Sequence, residues 1–191
     1  MNETVTPGND RQLYERFLSG NSDAVCEMVK KYSDSLILFL NGILKDPAAS
    51  EEISSETFFK LIVKHPKYRG EASFKTYLFS IGRNLAVDHL RKVQKEEVFS
   101  EEQLLENIKE TENIEETVLK NERDRELYSA LDRLQPDYSE ALYLTYFNGL
   151  SAEDVGKVMK KSRKQVENLL YRAKLSLKKI LLKDGFNYEI V

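Results

Sequence analysis

The sequence predicts an all-α chain of two small helical domains joined by a flexible acidic linker. Apolar residues recur at three- and four-residue spacing from Leu13 to Leu90 and again from Val155 to Leu177, the repeat of amphipathic helices. Between Glu96 and Glu116 stand nine acids against one base, Lys109, a net of −8 with little periodicity; such a stretch reads as a solvated tether rather than a nucleic-acid mimic. A length of 191 residues, 41% hydrophobic and 32% charged, with eight Gly and four Pro, fits one or two compact, water-soluble, helix-rich domains. The expected organisation is a domain over 9–95, a linker over 96–121, a domain over 122–185 and a tail over 186–191.

In the first domain, Leu13, Phe17 and Leu18 lead to Gly20, and a long helix over Ser22 to Leu44 carries Ala24, Val25, Met28, Val29, Tyr32, Leu36, Phe39, Leu40 and Ile43 at three- and four-residue spacing. Asp46-Pro47 ends it and starts the next helix. That helix, Ala48 to Val63, sets Ile53, Thr57, Phe58, Leu61 and Ile62 against Glu51, Glu52 and Glu56, an acidic edge beside aromatic surface that suits protein docking. The Pro- and Gly-bearing stretch His65 to Ser73 is a loop, with Ser73 placed to cap a helix over Phe74 to Lys92. Aromatic and basic residues interleave here. Bases can lie on rings while Arg and Lys follow the backbone, so the segment suits single-stranded nucleic acid. Phe74, Leu78, Ile81, Leu85 and Leu90 are expected in the core, and Tyr68 and Arg69 of the loop are the better ligand candidates.

In the second domain, Leu150 to Lys183 has the layout of a helix-turn-helix. Ser151 with Asp154 and Ser162 with Gln165 match the capping-box spacing, which leaves Lys160-Lys161 as the turn. Ten Lys or Arg against the single acid Glu167 give Lys157 to Lys183 a net charge of +9, a phosphate-seeking surface. Val155, Val158 and Met159, then Val166, Leu170, Ala173 and Leu177, supply the buried stripes. Arg163, Lys164, Glu167, Asn168, Tyr171 and Arg172 project outward. Arg suits guanine, Asn suits adenine and Glu accepts from cytosine, whereas Lys174, Lys178 and Lys179 are better placed for phosphates. The overall charge of −3 conceals this, because the chain outside the acidic stretch carries +5.

No apolar run approaches a membrane span, and the polar N-terminus Met1 to Asp10 is no signal peptide, so the expected location is the cytoplasm. The single cysteine, Cys26, lies among Val25, Met28 and Val29 and is expected to be a small buried hydrophobe. His65 and His89 lack metal-ligand spacing, and the glutamates form no acid–base pair with them. Neither enzymatic activity nor a metal or cofactor is expected.

Asp46 to Leu61 with Ser55-Glu56-Thr57-Phe58, followed by Phe74 to Lys92, resembles region 2 of the sigma-70 family of bacterial transcription initiation factors. Leu131 to Pro136, Ala141 to Ser151 and on to Lys179 resembles region 4. The short tether between them is similar to the extracytoplasmic-function (ECF) subgroup. This resemblance implies a specificity subunit that docks on the clamp of the largest catalytic subunit of core RNA polymerase through Asp46, Glu51, Glu52, Glu56, Phe58 and Leu61. It implies capture of the melted −10 element by Tyr68, Arg69, Lys75, Arg83, Asn84, Asp88, Arg91 and Lys92. It further implies reading of −35 duplex DNA by Ser151, Arg163, Lys164, Glu167, Asn168, Tyr171, Arg172, Lys174 and Lys178. Family members are commonly held inactive by an anti-sigma protein.

Ser55 stands where the family has Gln, Tyr77 where Trp is common, and Lys164 to Leu169 departs from the usual recognition-helix sequence, so relatives do not supply the promoter sequence. The apolar tail from Phe186 to Val191 is expected to pack on region 4, the alternative being a regulatory handle. The rival is a polymerase-independent helix-turn-helix regulator, which binds palindromes as a dimer and needs no single-strand surface.

Overall fold

The structure, a computed structural model, describes residues 7–64, 72–100 and 122–184. The loop candidates His65, Tyr68 and Arg69 and the tail 186–191 lie outside the described residues. Eight α-helices and a π-helical turn, with no strand, form the described part. The chain divides into two compact units between Glu112 and Asn113.

In the first unit α1 (Pro7–Leu18), α2 (Ser22–Leu44), α3 (Pro47–Lys64) and α4 (Phe74–Ser100) form a bundle in which α2 packs against the other three. The ends of α2 follow from its sequence. Asn21 Oδ1 accepts from the Asp23 and Ala24 backbone N–H groups at 3.0 and 3.3 Å, satisfying two donors that the first helical turn leaves open. At the other end Lys45 takes a left-handed conformation (φ 54°) and donates its N–H to the Asn41 carbonyl. Asp46 Oδ1 then caps α3 by accepting from Ala49 N–H at 3.0 Å.

The core is aromatic. Phe74 at the head of α4 lies between Tyr14 and Tyr32, with ring centroids 5.2 and 5.9 Å away, and Phe39 meets Phe79 at 5.2 Å. Leu36, Leu40, Leu61 and Leu78 complete it; each such side chain contributes roughly 1.5–3 kcal/mol through removal of apolar surface from water. Gly82 lets α4 come close to α2 and α3, because a Cβ there would stand 3.0 Å from Leu36 Cδ1 and 3.4 Å from Thr57 Oγ1.

Three expectations are corrected. Cys26 is exposed, since it lies two positions before Met28 and therefore about 200° around the helix from the buried stripe. Helix α4 continues past Lys92 to Ser100, because no Gly or Pro interrupts Val93 to Phe99. Phe58 and Leu61 are core residues, 6% and 0% exposed, and neither can present itself to a partner.

In the second unit α5 (Glu122–Asp132), α6 (Pro136–Leu142), a π turn (Tyr143–Phe147), α7 (Ala152–Met159) and α8 (Arg163–Lys183) surround a core of Leu131, Leu134, Leu142 and Ala173. Leu127, Tyr128, Leu170, Leu177 and Ile180 pack against it. Pro136 occupies the first turn of α6, where its missing N–H costs nothing. In the π turn Tyr143 and Phe147 stack, ring centroids 4.8 Å apart. An ion pair between Arg133, just after α5, and Asp184, just after α8, joins residues 51 apart in sequence.

Candidate nucleic-acid interface and docking face

The helix-turn-helix is built by backbone geometry at three residues. Ser151 caps α7 by accepting from Asp154 N–H at 3.1 Å, and its own hydroxyl donates to Asp154 Oδ2 at 2.7 Å. Lys160 ends α7 in the left-handed conformation (φ 57°). Lys161 N–H returns to the Gly156 carbonyl at 2.9 Å, the bond that closes such an end. The turn presses so closely on α7 that a Cβ at Gly156 would lie 2.6 Å from the Lys161 carbonyl oxygen, closer than side-chain carbons approach backbone. Ser162 then opens α8 with a complete capping box: its hydroxyl accepts from Gln165 N–H at 3.3 Å and its N–H donates to Gln165 Oε1 at 2.7 Å. Gln165 is thereby committed to the cap.

Val166 and Ala173, both 0% exposed, turn α8 inward, which leaves Lys164, Glu167, Asn168, Tyr171, Arg172 and Lys178 exposed. They are not equivalent. Arg163 Nε donates to Glu167 Oε1 at 2.8 Å, and this bond raises the guanidinium pKa further. Asn168 and Arg172 stand on another flank, where with Lys161, Gln165 and Leu169 they line a depression of about 270 Å³. Lys174 Nζ lies 4.9 Å from the centroid of the Tyr146 ring, a cation–π arrangement that draws it toward the π turn. Leu175 and Leu182, both exposed, add an apolar component that the charge pattern concealed.

In the first unit the expected −10 residues separate. Arg91 pairs with Asp88 at 3.3 Å, and both are exposed, as is Lys92; Arg83 and Asn84 are half-buried. Lys75 departs from the group. It precedes Leu78 and Phe79 by three and four residues and so shares their packed side of α4, with its ammonium 5.9 Å from the Phe79 ring centroid. Burial, together with the positive charge of Lys31 and against the opposing effect of Asp10, holds its pKa below the ordinary lysine value. Asp10 and Lys31 are themselves ion-paired. Lys75 therefore belongs to the α1–α2–α4 junction, not to the exposed basic end of α4.

On α3, Asp46 serves as the helix cap, while Glu51, Glu52 and Glu56 are exposed. The apolar surface beside them comes from Phe59 and Val63, 62% and 54% exposed. Neighbouring residues project about 100° apart on a helix, so of the pair Phe58-Phe59 one faces in and the other out. Phe58 shares the buried side of Ile53, Thr57 and Leu61, and Phe59 is the outward ring, a position not among the expected docking residues. Glu52, Glu56, Phe59 and Val63 thus form one exposed stripe. Between α3 and α4 runs a groove of about 440 Å³ whose charged lining includes Glu52 and Glu56 on one side and Asp88, Arg91, Lys92 and Lys95 on the other.

Comparison with known proteins matches these two parts in order. Sigma-70 region 2 matches residues 28–96 and Sigma-70 region 4 matches residues 124–177. The chain is similar to the ECF RNA polymerase sigma factor BldN of Streptomyces coelicolor, 30% identical over 177 residues, 91% of this chain and 66% of BldN. It is also similar to the RNA polymerase sigma-H factor of Pseudomonas aeruginosa, 28% identical over 185 residues, 93% of this chain and 96% of that one. Among solved structures, the fold is similar to that of the sigma factor RpoE in complex with the anti-sigma factor NepR from Bartonella quintana (TM-score 0.67, 21% identity, 81% of this chain and 94% of that one). It is similar as well to that of CnrH in complex with the cytosolic domain of CnrY (TM-score 0.65, 22% identity, 92% and 98%).

Proposed function

This chain belongs to the sigma-70 family of RNA polymerase sigma factors, in its extracytoplasmic-function group, and from that premise we propose which of its surfaces meets which partner. It is a transcription initiation factor, a specificity subunit that directs a polymerase rather than an enzyme in its own right. The exposed stripe Glu52, Glu56, Phe59 and Val63 of α3, joined by Glu51, docks on the clamp of core RNA polymerase. Acid and ring together suit a basic, partly apolar partner surface. The basic end of α4, with Arg91 and Lys92, and the residues His65 to Ser73 that precede α4 in sequence receive the melted −10 strand. Helix α8 enters the major groove of the −35 element, with Arg163, Lys164, Glu167, Asn168 and Arg172 toward base edges and Lys178 toward phosphate.

The observation that carries this reading is the arrangement of α8: a fully capped N-terminus, Val166 and Ala173 sunk in the core, and every charged residue of its first three turns outward. The free-standing regulator is disfavoured, because regions 2 and 4 stand in order on one chain. An anti-sigma protein is a further proposed partner, since the similar RpoE was solved in complex with the anti-sigma factor NepR. No helix among the described residues is long and apolar enough to cross a membrane, and the proposed place of action is the cytoplasm.

Size-exclusion co-elution with sigma-free core polymerase tests the docking assignment. The wild-type chain is expected to co-elute, and a Phe59→Ala/Val63→Ser variant to lose co-elution while keeping its melting temperature. Phe58→Ala serves as contrast, because emptying a core position costs roughly 3–5 kcal/mol of stability. Undiminished co-elution of the stripe variant would move the docking face elsewhere, and failure of the wild-type chain to bind would overturn the functional reading.

A further inference from the structure

Lys75 stands at an unusual place for a cation, the start of α4. It is the second residue of that helix, in the turn whose open backbone N–H groups carry partial positive charge. No acid stands in that turn to neutralise it. Its side chain is half-buried on the packed side of the helix. Lys31 of α2 adds a like charge, and Asp10 of α1, the acid that acts on Lys75, is itself buried and ion-paired with Lys31. The Phe79 ring favours the ammonium, but at 5.9 Å it stands at the limit of cation–π reach. Burial, a second cation and a helix start all favour the uncharged amine, the nucleophilic form of lysine. Asp10, shared with Lys31, opposes them only in part.

We propose that Lys75 is an acyl-acceptor site, modified by small activated acyl donors of the acyl phosphate class. The amine lone pair attacks the carbonyl carbon, and the bond from that carbon to the phosphate oxygen breaks. Inorganic phosphate leaves with the electron pair, and the nitrogen gives up one proton to water. The product is a neutral amide. The cluster of Asp10, Lys31 and Lys75 thereby passes from one surplus positive charge to none, and the repulsion between its two lysines is relieved. The site depends on neither the docking nor the DNA assignments above.

The test incubates full-length protein with acetyl phosphate at about pH 8, below the ordinary lysine range, and follows each lysine by peptide mass spectrometry. Lys75 is expected to acetylate about three- to tenfold faster than the exposed Lys92 and Lys164, since the uncharged fraction sets the rate and half-burial takes back part of the gain. Its rate should level off below pH ~10, the ordinary lysine value. Lys31→Gln removes the like charge and leaves Asp10 to Lys75, so both effects favour the ammonium. Lys75 in that variant is expected to slow at least about threefold, with Lys92 and Lys164 unchanged. Lys31→Arg keeps the charge and the pair, and is expected to retain the wild-type rate. Lys75 no faster than Lys92 and Lys164 would overturn the proposal. So would a rate that keeps climbing about tenfold per pH unit up to ~10, or a Lys31→Gln variant that melts at the wild-type temperature and is undiminished in reactivity at Lys75.

Discussion

Glu167 is the single acid on a basic helix, and its carboxylate accepts from Arg163 at 2.8 Å. An exposed i,i+4 pair of this kind adds little to stability, so its value lies in where it holds the guanidinium. Replacing Glu167 by Ala frees Arg163 and removes an acceptor from the exposed face proposed to enter the DNA groove. The expected result is an altered base preference at the −35 element, whereas Lys178→Ala, at the proposed phosphate contact, is expected to weaken all promoters alike by roughly the same factor. Selection from a randomised −35 library with each holoenzyme distinguishes them, and parallel losses across the library would contradict the assignment. At this scale the sequence was only partly readable. The charged outward face of α8 follows from its period, but the withdrawal of Lys174 toward Tyr146 depends on a π turn that no spacing announces, and Lys75 looked like its basic neighbours because charge alone does not reveal which side of α4 packs.

Helix starts were the most legible, since Ser73, Ser151 and Ser162 each carry a capping side chain just before an apolar repeat and Asp46-Pro47 marks the opening of α3, whereas the end of α4 was not. Ser162 with Gln165 forms both halves of its box. Ser151 with Asp154 completes only the half in which serine accepts, and the aspartate binds the hydroxyl in place of the backbone, because its shorter side chain does not reach as glutamate does. The faces of α3 were less legible than its ends: two adjacent phenylalanines offer two registers. Packing also sets a pH dependence. Burial raises the pKa of Tyr14, pushes Tyr77 up to about 12 with help from Tyr14, and raises Tyr143 at the start of the π turn. A phenol that keeps its proton longer when folded contributes stability that is fully present below its ordinary pKa of ~10 and is lost as pH rises through the folded value. The depressed Lys75 works in the opposite sense and only partly offsets this. Melting temperature is expected to fall as pH is raised above about 10, and Tyr143→Phe to flatten the fall in the second unit; an unchanged slope in that variant would show that its ring is not the source.

At the scale of the whole molecule, a net charge of −3 hides a division of labour: the strongest positive charge lies in the second unit, and the first presents acid on α3 and base on the exposed end of α4. In the proposed reading, the two DNA contacts on separate units act as one grip when polymerase holds both. Because Arg91 and Arg172 belong to different units and share no partner, the free-energy losses of Arg91→Ala and Arg172→Ala in promoter binding by holoenzyme should add within about 0.5 kcal/mol; a clearly larger deviation in the double variant would mean that the two elements are recognised in one concerted step. The split into two units was foreshadowed by the acidic run, although α4 carries helix farther into it than loss of periodicity suggested. The outward position of Cys26 has a practical consequence. It is the only sulfhydryl of the chain, it is accessible, and it lies on α2 outside the groove between α3 and α4, so the native protein accepts one maleimide dye at one known point. A fluorophore there reports the arrival of polymerase or DNA on the first unit without any engineered cysteine.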